Sequence, residues 1–541
     1  MLNRLKEILN HKILLSALLL LIINLGMVFY YYDLKTGTHI DENFSYAHAN
    51  SSQGAYLSKK IDAYFKDYDF DVRNKWHEGK VFKDYMTTQK DEAFKYDHIW
   101  ENMKNDVHPP LYYILLHTVC SFFIDSYSKW YGAGINICLW VCLLVVLFNL
   151  SNLVLKNKYL SLITVSLYAF SQIGLDTVLY IRMYALQTLL LTLLVLDTLK
   201  LLSENKRDII RLFKICLWSF LGAFTQYSSI LFAIIVCFVA SIVLCYRKNW
   251  YLLAYYILAV ILGISFLFIL FPFTFDVLLF SQRGAELFEY MANVKVILAR
   301  LSGVFDVCTR LLLSFSDINW RFLLLLFVII FFAFCKNKEQ ANVSFGVIFG
   351  VAVLIELYLS YTMPLNYATG VRYQMPIMPL YAVVFVNMAY CLLLKTKLNK
   401  NIVYVILCLG VLINSIRADF GNKSPFRFQN DEKTNTFLQE IKGKKVIIAT
   451  VQFWTVFEHL RYLMDVDEVY PTVFPCDYPL RKMMKTPVSG TYFVYFNKDA
   501  EKTNYGKPDK NESVCANLGD KLDFLYTVSL GERYYDVYKV K

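Results

Sequence analysis

Residues 13–32 read ILLSALLLLIINLGMVFYYY, an almost entirely apolar stretch that follows a basic, amphipathic start. A stretch of this length is what an α-helix needs to cross the hydrocarbon core of a bilayer. No small-residue cleavage site accompanies it, so we interpret residues 1–32 as a cytoplasmic start and a retained first transmembrane helix.

Comparable apolar blocks recur along the chain. Hydrophobic residues make up 57% of the 541 positions, and the mean hydropathy is +0.40. This composition predicts a polytopic α-helical membrane protein with about eleven transmembrane helices, if each span needs about 17 to 25 residues. The predicted spans are 13–32, 131–155, 159–180, 184–202, 210–226, 228–246, 250–272, 318–335, 342–362, 373–394 and 401–416.

The net charge of +11 comes mainly from short basic clusters between the apolar blocks. Such clusters orient membrane helices, with lysine and arginine on the cytoplasmic side, so we do not expect a nucleic-acid partner. The clusters are Arg4–Lys12, Lys156–Lys158, Lys206–Lys214, Arg247–Lys248, Lys336–Lys338 and Lys395–Lys400.

Three regions follow the first helix when all these clusters face the cytoplasm. Residues 33–110 are expected to be an extracytoplasmic catalytic loop with juxtamembrane helices, and residues 111–416 a multi-pass transmembrane bundle. Residues 417–541 are expected to be a small extracytoplasmic α/β domain. The apolar stretch 111–124 is short for a crossing and is left open between a span and an interfacial segment.

The predicted C-terminal domain rests on alternating strand-like runs around one helical stretch. Its two cysteines, Cys476 and Cys515, leave the question of a disulfide open. No metal-spaced Cys/His set and no glycine-rich phosphate loop occurs in the sequence. The predicted strands are 445–450, 491–496 and 534–540, and the predicted helix is 455–464.

Asp41 and Glu42 form an acidic pair shortly after the first predicted span. Adjacent carboxylates cannot both point at one atom, so one can accept a proton from an attacking hydroxyl while the other orients a helper group or a metal. We take Asp41 as the candidate base. The alternative is a solvated acidic pair in an outer loop. No cofactor is predicted with certainty, and Asp41 and Glu42 are the candidate ligands if a divalent metal takes part.

The segment His108-Pro109-Pro110 is the second polar motif. Two residues of fixed φ keep the chain extended there, which pre-positions the titratable His108 imidazole as a further catalytic candidate. Alternatively, the proline pair only starts a helix, and the histidine is an interface residue.

Arg182 and Arg372 lie at the predicted outer ends of apolar spans. A guanidinium there needs an anionic partner, and phosphate matches its planar fork of donors. The alternative for each is snorkelling to lipid headgroups. Weaker substrate-binding candidates at the same predicted face are Tyr184, Gln226, Tyr227 and Tyr373.

These motifs, in this order, resemble the membrane-embedded GT-C glycosyltransferases. The chain resembles especially the family 39 type, the bacterial relatives of protein O-mannosyltransferases and lipid A aminoarabinose transferases. The resemblance covers residues 13–394. The residues that carry it are Asp41-Glu42 with Phe44-Ser45-Tyr46, Asp106-Val107-His108-Pro109-Pro110-Leu111-Tyr112-Tyr113, Arg182-Met183-Tyr184, and Arg372-Tyr373 with Pro376 and Pro379.

The resemblance implies an inverting transfer of a sugar from a polyprenyl-phosphate donor to a glycan, lipid or protein acceptor on the extracytoplasmic face. It further implies that the first-loop aspartate is the base and that arginines lie near the lipid phosphate. Gln226-Tyr227 stands where many relatives have a His-Tyr pair. A transporter or flippase of lipid-linked sugars is the alternative, although transporters place polar groups at the midplane. An inactive, receptor-like relative is a third interpretation.

Overall fold

In the computed structural model the chain forms two compact units. Unit 1 comprises Met1–Tyr32 and Ala133–Pro425, and unit 2 comprises Asp33–Gly132 and Phe426–Lys541. The predicted span 318–335 and both Cys476 and Cys515 lie outside the described residues. The structure describes residues 2–57, 72–104, 106–280, 312–313, 343–362, 370–420, 426–450, 453–473, 490–496, 522–530 and 533–541.

Unit 1 is built from α-helices, most of them strongly apolar. Two short 3-10 turns, Gly370–Tyr373 and Met375–Ile377, precede helix α15 (Met378–Lys395). Pro376 and Pro379 fall at the starts of the second turn and of α15, where a missing N–H costs nothing. The helices are α1 (Leu2–Leu34), α6 (Lys129–Leu155), α7 (Lys158–Ala169), α8 (Gln172–Leu179), α9 (Tyr184–Glu204), α10 (Ile209–Ala223), α11 (Ser228–Tyr246), α12 (Trp250–Leu270), α13 (Thr274–Phe280), α14 (Val343–Thr362), α15 (Met378–Lys395) and α16 (Lys400–Phe420).

Among the described residues, 7 helices are long and apolar enough to cross a membrane, or up to 8 if one bent pair forms a single span. The prediction of a polytopic membrane protein is therefore confirmed. The exact number of spans stays a prediction. The 7 helical segments are His11–Leu34, Lys129–Leu155, Tyr184–Glu204, Ser228–Tyr246, Trp250–Leu270, Met375–Lys395 and Lys400–Ala418.

The bent pair corrects the predicted continuous span 159–180. Helices α7 and α8 meet at 64° across a short break. Ser171 caps the start of α8 by accepting a hydrogen bond from the Gly174 N–H at 3.1 Å. A Cβ at Gly174 would lie 2.0 Å from the Tyr168 carbonyl oxygen, so the tight turn requires glycine there.

The described residues of unit 2 form a 6-stranded mixed sheet with strand order β1-β3-β2-β4-β6-β5. Strand β2 is parallel to β3 and β4, whereas the pairs β1–β3, β4–β6 and β5–β6 are antiparallel. The strands are β1 (His77–Glu78), β2 (Lys445–Thr450), β3 (Glu468–Val473), β4 (Tyr492–Phe496), β5 (Leu522–Leu530) and β6 (Arg533–Val540). The helices are α2 (Ile40–Asn50), α3 (Gly79–Met86), α4 (Asp97–Lys104), α5 (Leu111–Cys120), α17 (Glu432–Glu440) and α18 (Leu460–Leu463).

The first loop and the C-terminal residues share this unit. Strand β1 comes from the loop and pairs with β3, with His77 opposite Val469. The predicted division placed the loop (33–110) and the tail (417–541) in separate regions and assigned residues 111–132 to the membrane bundle. In the structure residues 33–132 and 426–541 share unit 2, and residues 417–425 belong to unit 1. Helix α5, at 10 residues, is too short to cross a bilayer alone.

Buried polar groups connect the helices of unit 1. The Asn24 amide of α1 donates to the Ala169 carbonyl at 2.8 Å and accepts from the Trp140 indole N–H at 2.8 Å. Asn24 is 1% exposed, so neither partner can turn to water instead. This residue therefore joins α1 to both α6 and α7.

We expect Asn24→Ala to lower the free energy of unfolding by about 1–2 kcal/mol, because two buried hydrogen bonds are lost. Unfolding of the purified protein in detergent measures the change. The control is Asn149→Ala, since the exposed Asn149 bonds only Val145 O within its own helix. Equal effects of the two substitutions would contradict the assigned role of Asn24.

Candidate active site

The acidic pair lies in the first turn of α2, where the helix dipole favours negative charge. His39 caps this helix, and its Nδ1 accepts from the Asp41 N–H at 3.1 Å. The His39 N–H in turn donates to Glu42 Oε2 at 2.9 Å. This reciprocal arrangement is a capping box, and it fixes the backbone from which both carboxylates project.

Glu42 is held in a buried ion pair. Lys35 Nζ lies 2.5 Å from Glu42 Oε1, and the two side chains are 0% and 1% exposed. Lys35 Nζ also donates to the Phe426 carbonyl at 3.0 Å and lies 5.4 Å from the Phe428 ring centroid. Both Glu42 oxygens are thus engaged by donors of unit 2.

Asp41 has a different environment, although it is the next residue in the chain. Its side chain is 20% exposed, and Asp41 Oδ2 lies 3.7 Å from His39 Nδ1. A partly exposed carboxylate can meet an incoming hydroxyl, whereas the buried Glu42 cannot do so without breaking its ion pair. The surroundings therefore separate two carboxylates that the sequence alone leaves equivalent.

A second cluster surrounds Asp106. His108 Nδ1 lies 2.8 Å from Asp106 Oδ2, and His48 Nδ1 lies 3.5 Å from the same oxygen. The Tyr56 hydroxyl donates to Asp106 Oδ1 at 3.2 Å. Burial works against the ionised form, but the electrostatic effects of His108 and His48 outweigh it and hold the pKa of the Asp106 carboxyl well below its usual range.

His48 is the functional candidate that the sequence analysis missed. It lies on α2 two helical turns beyond Asp41, a spacing that places both residues on one helix face. The His48 ring stacks on Phe44 at 5.3 Å and meets the edge of Tyr56 at 5.4 Å. The helical spacing between Asp41 and His48 was the sequence signal that could have identified His48 as a candidate. The contact between His48 and Asp106 depends on how the loop folds and could not be predicted from this spacing.

The surroundings of Asp41 and Glu42 fit a divalent metal poorly. The Lys35 ammonium already lies 2.5 Å from Glu42 Oε1, and a second cation there would be repelled. Within the described ranges, no group of three or more His, Cys, Asp or Glu residues is arranged to hold a metal ion.

The arginine candidates belong to unit 1. Arg182 lies in the short connection between α8 and α9, where its backbone N–H donates to the Tyr180 carbonyl at 2.7 Å. The residue is 3% exposed. The Tyr180 and Tyr184 rings on either side of it stack at 5.8 Å with an angle of 11°. This stacking stabilises the turn that carries the buried Arg182.

Arg372 joins the same aromatic group. Its Nη1 lies 3.5 Å from the Tyr180 hydroxyl, and its Nη2 lies 3.4 Å from the Tyr373 hydroxyl. The guanidinium is 5.1 Å from the Tyr373 ring centroid, and the Tyr373 ring meets the edge of Tyr184 at 6.3 Å. The structure therefore brings Arg372, Tyr373 and Tyr184 together and adds Tyr180, which the sequence analysis did not select.

Gln226 and Tyr227 lie at another turn, between α10 and α11. Gln226 Oε1 accepts from the Tyr227 N–H at 3.0 Å. The next residues, Ser228 and Ser229, accept from Gln187 Nε2 on α9 at 2.8 and 3.0 Å. This turn is thereby connected to the helix that begins at Tyr184.

Comparison with solved structures identifies the fold. ArnT from Cupriavidus metallidurans bound to undecaprenyl phosphate superposes with a TM-score of 0.53 at 9% identity, over 97% of this chain and 98% of that chain. The apo state of the same protein gives a TM-score of 0.50 at 8% identity, over 96% and 97%. This chain has the GT-C fold.

This likeness confirms the predicted GT-C type membrane fold, whereas the helix count and the extracytoplasmic C-terminal domain stay predictions. ArnT is a lipid A aminoarabinose transferase, one of the enzymes that the sequence motifs resemble. No family model matches the chain, and no curated protein matches it. At this identity the GT-C likeness establishes the fold alone, and the roles of individual residues stay predictions.

We expect Glu42→Gln to destabilise the protein by about 3–5 kcal/mol, because it leaves the buried Lys35 ammonium without its carboxylate. Chemical unfolding monitored by intrinsic fluorescence measures the loss. Asp84→Asn is the matched control, since it removes the carboxylate from a pair whose Lys80 is 66% exposed. That change should cost less than about 1 kcal/mol. A similar small cost for both substitutions would contradict the assigned role of the Lys35–Glu42 pair.

We expect the Asp106 carboxylate to make stability depend on pH at the acidic end. Its folded-state pKa is depressed, so its contribution is present above the unfolded value of about 3.9 and is lost as the pH falls through the folded value. Melting temperatures measured below about pH 4 should therefore fall less steeply for Asp106→Asn than for the parent protein. Parallel curves would show that Asp106 does not contribute in this way.

Proposed function

We propose that this chain is a membrane glycosyltransferase that moves a sugar from a polyprenyl-phosphate donor to an acceptor on the extracytoplasmic face. The acceptor is a cell-envelope glycan, lipid or protein. The observation that carries this proposal is the difference in burial between the two acidic residues. Glu42 is buried against Lys35, whereas Asp41 stays partly exposed. The GT-C fold supports the proposal, since ArnT with that fold was solved with undecaprenyl phosphate.

Asp41 is the general base in this proposal. It accepts the proton of the acceptor hydroxyl or amine as that group attacks the anomeric carbon of the donor sugar. The bond between the anomeric carbon and the phosphate oxygen breaks, and polyprenyl phosphate leaves with the bonding electron pair. A single displacement of this kind inverts the anomeric configuration.

His108 orients the acceptor in our proposal. The 2.8 Å contact with Asp106 favours the tautomer with the proton on Nδ1, which leaves the Nε2 lone pair for the acceptor. His48 and Tyr56 hold the Asp106 carboxylate in place. Asp106 and His48 are thus positioning residues that act through His108.

Arg372 and Arg182 bind the donor phosphate in the proposal. The tyrosine contacts of Arg372 pre-orient its guanidinium, and a planar fork of donors suits an anionic phosphate whose charge grows as the bond breaks. Tyr184 and Tyr373 shape the surroundings of Arg372. Gln226 and Tyr227 remain weaker substrate-binding candidates.

The proposed location is the cell membrane, with the catalytic loop and the C-terminal domain outside the cytoplasm. The basic clusters between the spans support this orientation through the positive-inside rule. The donor is then a lipid within the same membrane. This agrees with the absence of a glycine-rich nucleotide-binding loop from the sequence.

A flippase or transporter of lipid-linked sugars is the second candidate. The observation that favours it is Glu356, which is 3% exposed in the middle of α14 and accepts from Gln374 Nε2 at 2.8 Å. Ionisable groups inside membrane helices often mark a transport path.

We expect Asp41→Asn to reduce sugar transfer by about 10²- to 10⁴-fold, because the general base is lost. The assay uses purified protein in lipid with a panel of polyprenyl-phosphate sugars and envelope extracts. Asp33→Asn, which alters an exposed acid of the same segment, is the control and should keep full activity. Thermal unfolding of both variants should match that of the parent protein.

Unchanged transfer by Asp41→Asn would remove Asp41 from the mechanism. If the parent protein transfers no sugar but moves labelled sugar-lipid across liposomes, the flippase is the correct function. Glu356→Gln, which keeps a hydrogen-bonding side chain beside Gln374, should then stop the transport.

A further inference from the structure

An apolar groove lies among α1, α7 and α16 of unit 1, apart from the residues assigned to sugar transfer. Its volume is about 480 Å³, within the range of about 300 to 1,000 Å³ typical of small-molecule sites. Its wall is largely apolar and includes the aliphatic side chains of Leu20, Ile23, Leu162 and Leu412. Such a groove suits a hydrocarbon chain.

The three helices that line the groove run in the same direction. Asn157, the N-cap of α7, donates from Nδ2 to the Tyr404 hydroxyl at 2.7 Å, and Tyr404 is one turn into α16. At the other end of α7, Ala169 accepts from Asn24 of α1. Ser16 lines the groove two turns before Asn24, and Lys12 precedes it by one more turn.

One end of the groove is therefore basic. Exposed lysines lie next to the joined starts of α7 and α16 and one turn before Ser16 on α1. The groove-lining parts of α1, α7 and α16 lie in stretches of the chain without acidic residues. These stretches are 12–32, 126–175 and 357–418. Two helix N-termini add partial positive charge at the same end. The lysines are Lys12, Lys156, Lys158, Lys397 and Lys400.

We propose that this groove is a binding site for an anionic glycerophospholipid. One acyl chain lies along the aliphatic wall, and the phosphate headgroup meets the lysine cluster. Basic pockets between transmembrane helices on the cytoplasmic side are known to select anionic headgroups. The lysines alone would only orient the helices, but the adjoining groove adds a place for the lipid chain. The site is independent of sugar transfer.

Native mass spectrometry of the delipidated full-length protein tests the proposal, by titration with phosphatidylglycerol and with phosphatidylcholine of the same chain length. We expect tighter binding of phosphatidylglycerol. The triple variant Lys158→Gln, Lys397→Gln, Lys400→Gln should weaken it by about 100-fold, from the typical contribution of a lysine near an anionic headgroup. The phosphatidylcholine affinity should stay unchanged.

The matched control is the triple variant Lys206→Gln, Lys214→Gln, Lys248→Gln, which removes the same charge from exposed positions of α10 and of two loops that do not adjoin the groove-lining helices α1, α7 and α16. Each triple contains one lysine with positive φ, Lys397 at 62° and Lys248 at 56°, so the backbone effects are matched. We expect the control to bind phosphatidylglycerol as the parent protein does.

A second pair of variants tests the groove itself. Leu412→Trp should fill it and weaken phosphatidylglycerol binding, whereas Leu409→Trp, which changes an equally exposed residue of α16 outside the groove, should not. Equal affinity for the two lipids, equal losses in both lysine triples, or no effect of Leu412→Trp would overturn the proposal. It is also wrong if undecaprenyl phosphate competes better than phosphatidylglycerol at this site.

Discussion

The buried ion pair between Lys35 and Glu42 is the interaction on which the candidate site depends. Two charges out of water are tolerated only when each finds close partners, and removal of either one leaves the other uncompensated. Lys35 follows the first span, Glu42 lies in the first turn of α2, and the Phe426 carbonyl belongs to the C-terminal residues. The pair therefore fixes α2 within unit 2 and leaves Asp41 as the accessible carboxylate.

A similar division of tasks applies in unit 1. The connection between α8 and α9 carries two tyrosines, Tyr180 and Tyr184, that stack on each other, and Tyr180 contacts Arg372. If Arg372 binds the donor phosphate as we propose, its guanidinium is already oriented, which reduces the ordering cost of binding. At the starts of α7 and α16, the lysines beside the apolar groove meet a different class of lipid in our proposal. One bundle would then distinguish a substrate lipid from a structural one.

The sequence predicted most of the fold, because apolar length and basic clusters are local properties. The strand Lys445–Thr450 has the predicted bounds, whereas β1 has 2 residues and β3 contains Pro471, so neither gave a strand signal. The bend after Phe170 depends on the Ser171 cap. The length of the apolar segment gives no sign of this bend, because the whole stretch is long enough for one span. The candidate residues were visible as residue types, but the engagement of Glu42 by Lys35 and the contact of His48 with Asp106 arise from tertiary packing.

The most direct measurement is formation of a glycosyl azide from the polyprenyl-phosphate sugar by Asp41→Ala in the presence of azide. Azide is already anionic and needs no base, so it replaces both the acceptor and the lost carboxylate. If Asp41 is the base, the Asp41→Ala variant will form glycosyl azide with inverted anomeric configuration. The Glu42→Ala variant will then form no more glycosyl azide than the background reaction without enzyme. A variant that still binds the donor but forms no azide product, or rescue of Glu42→Ala instead, would contradict the assignment.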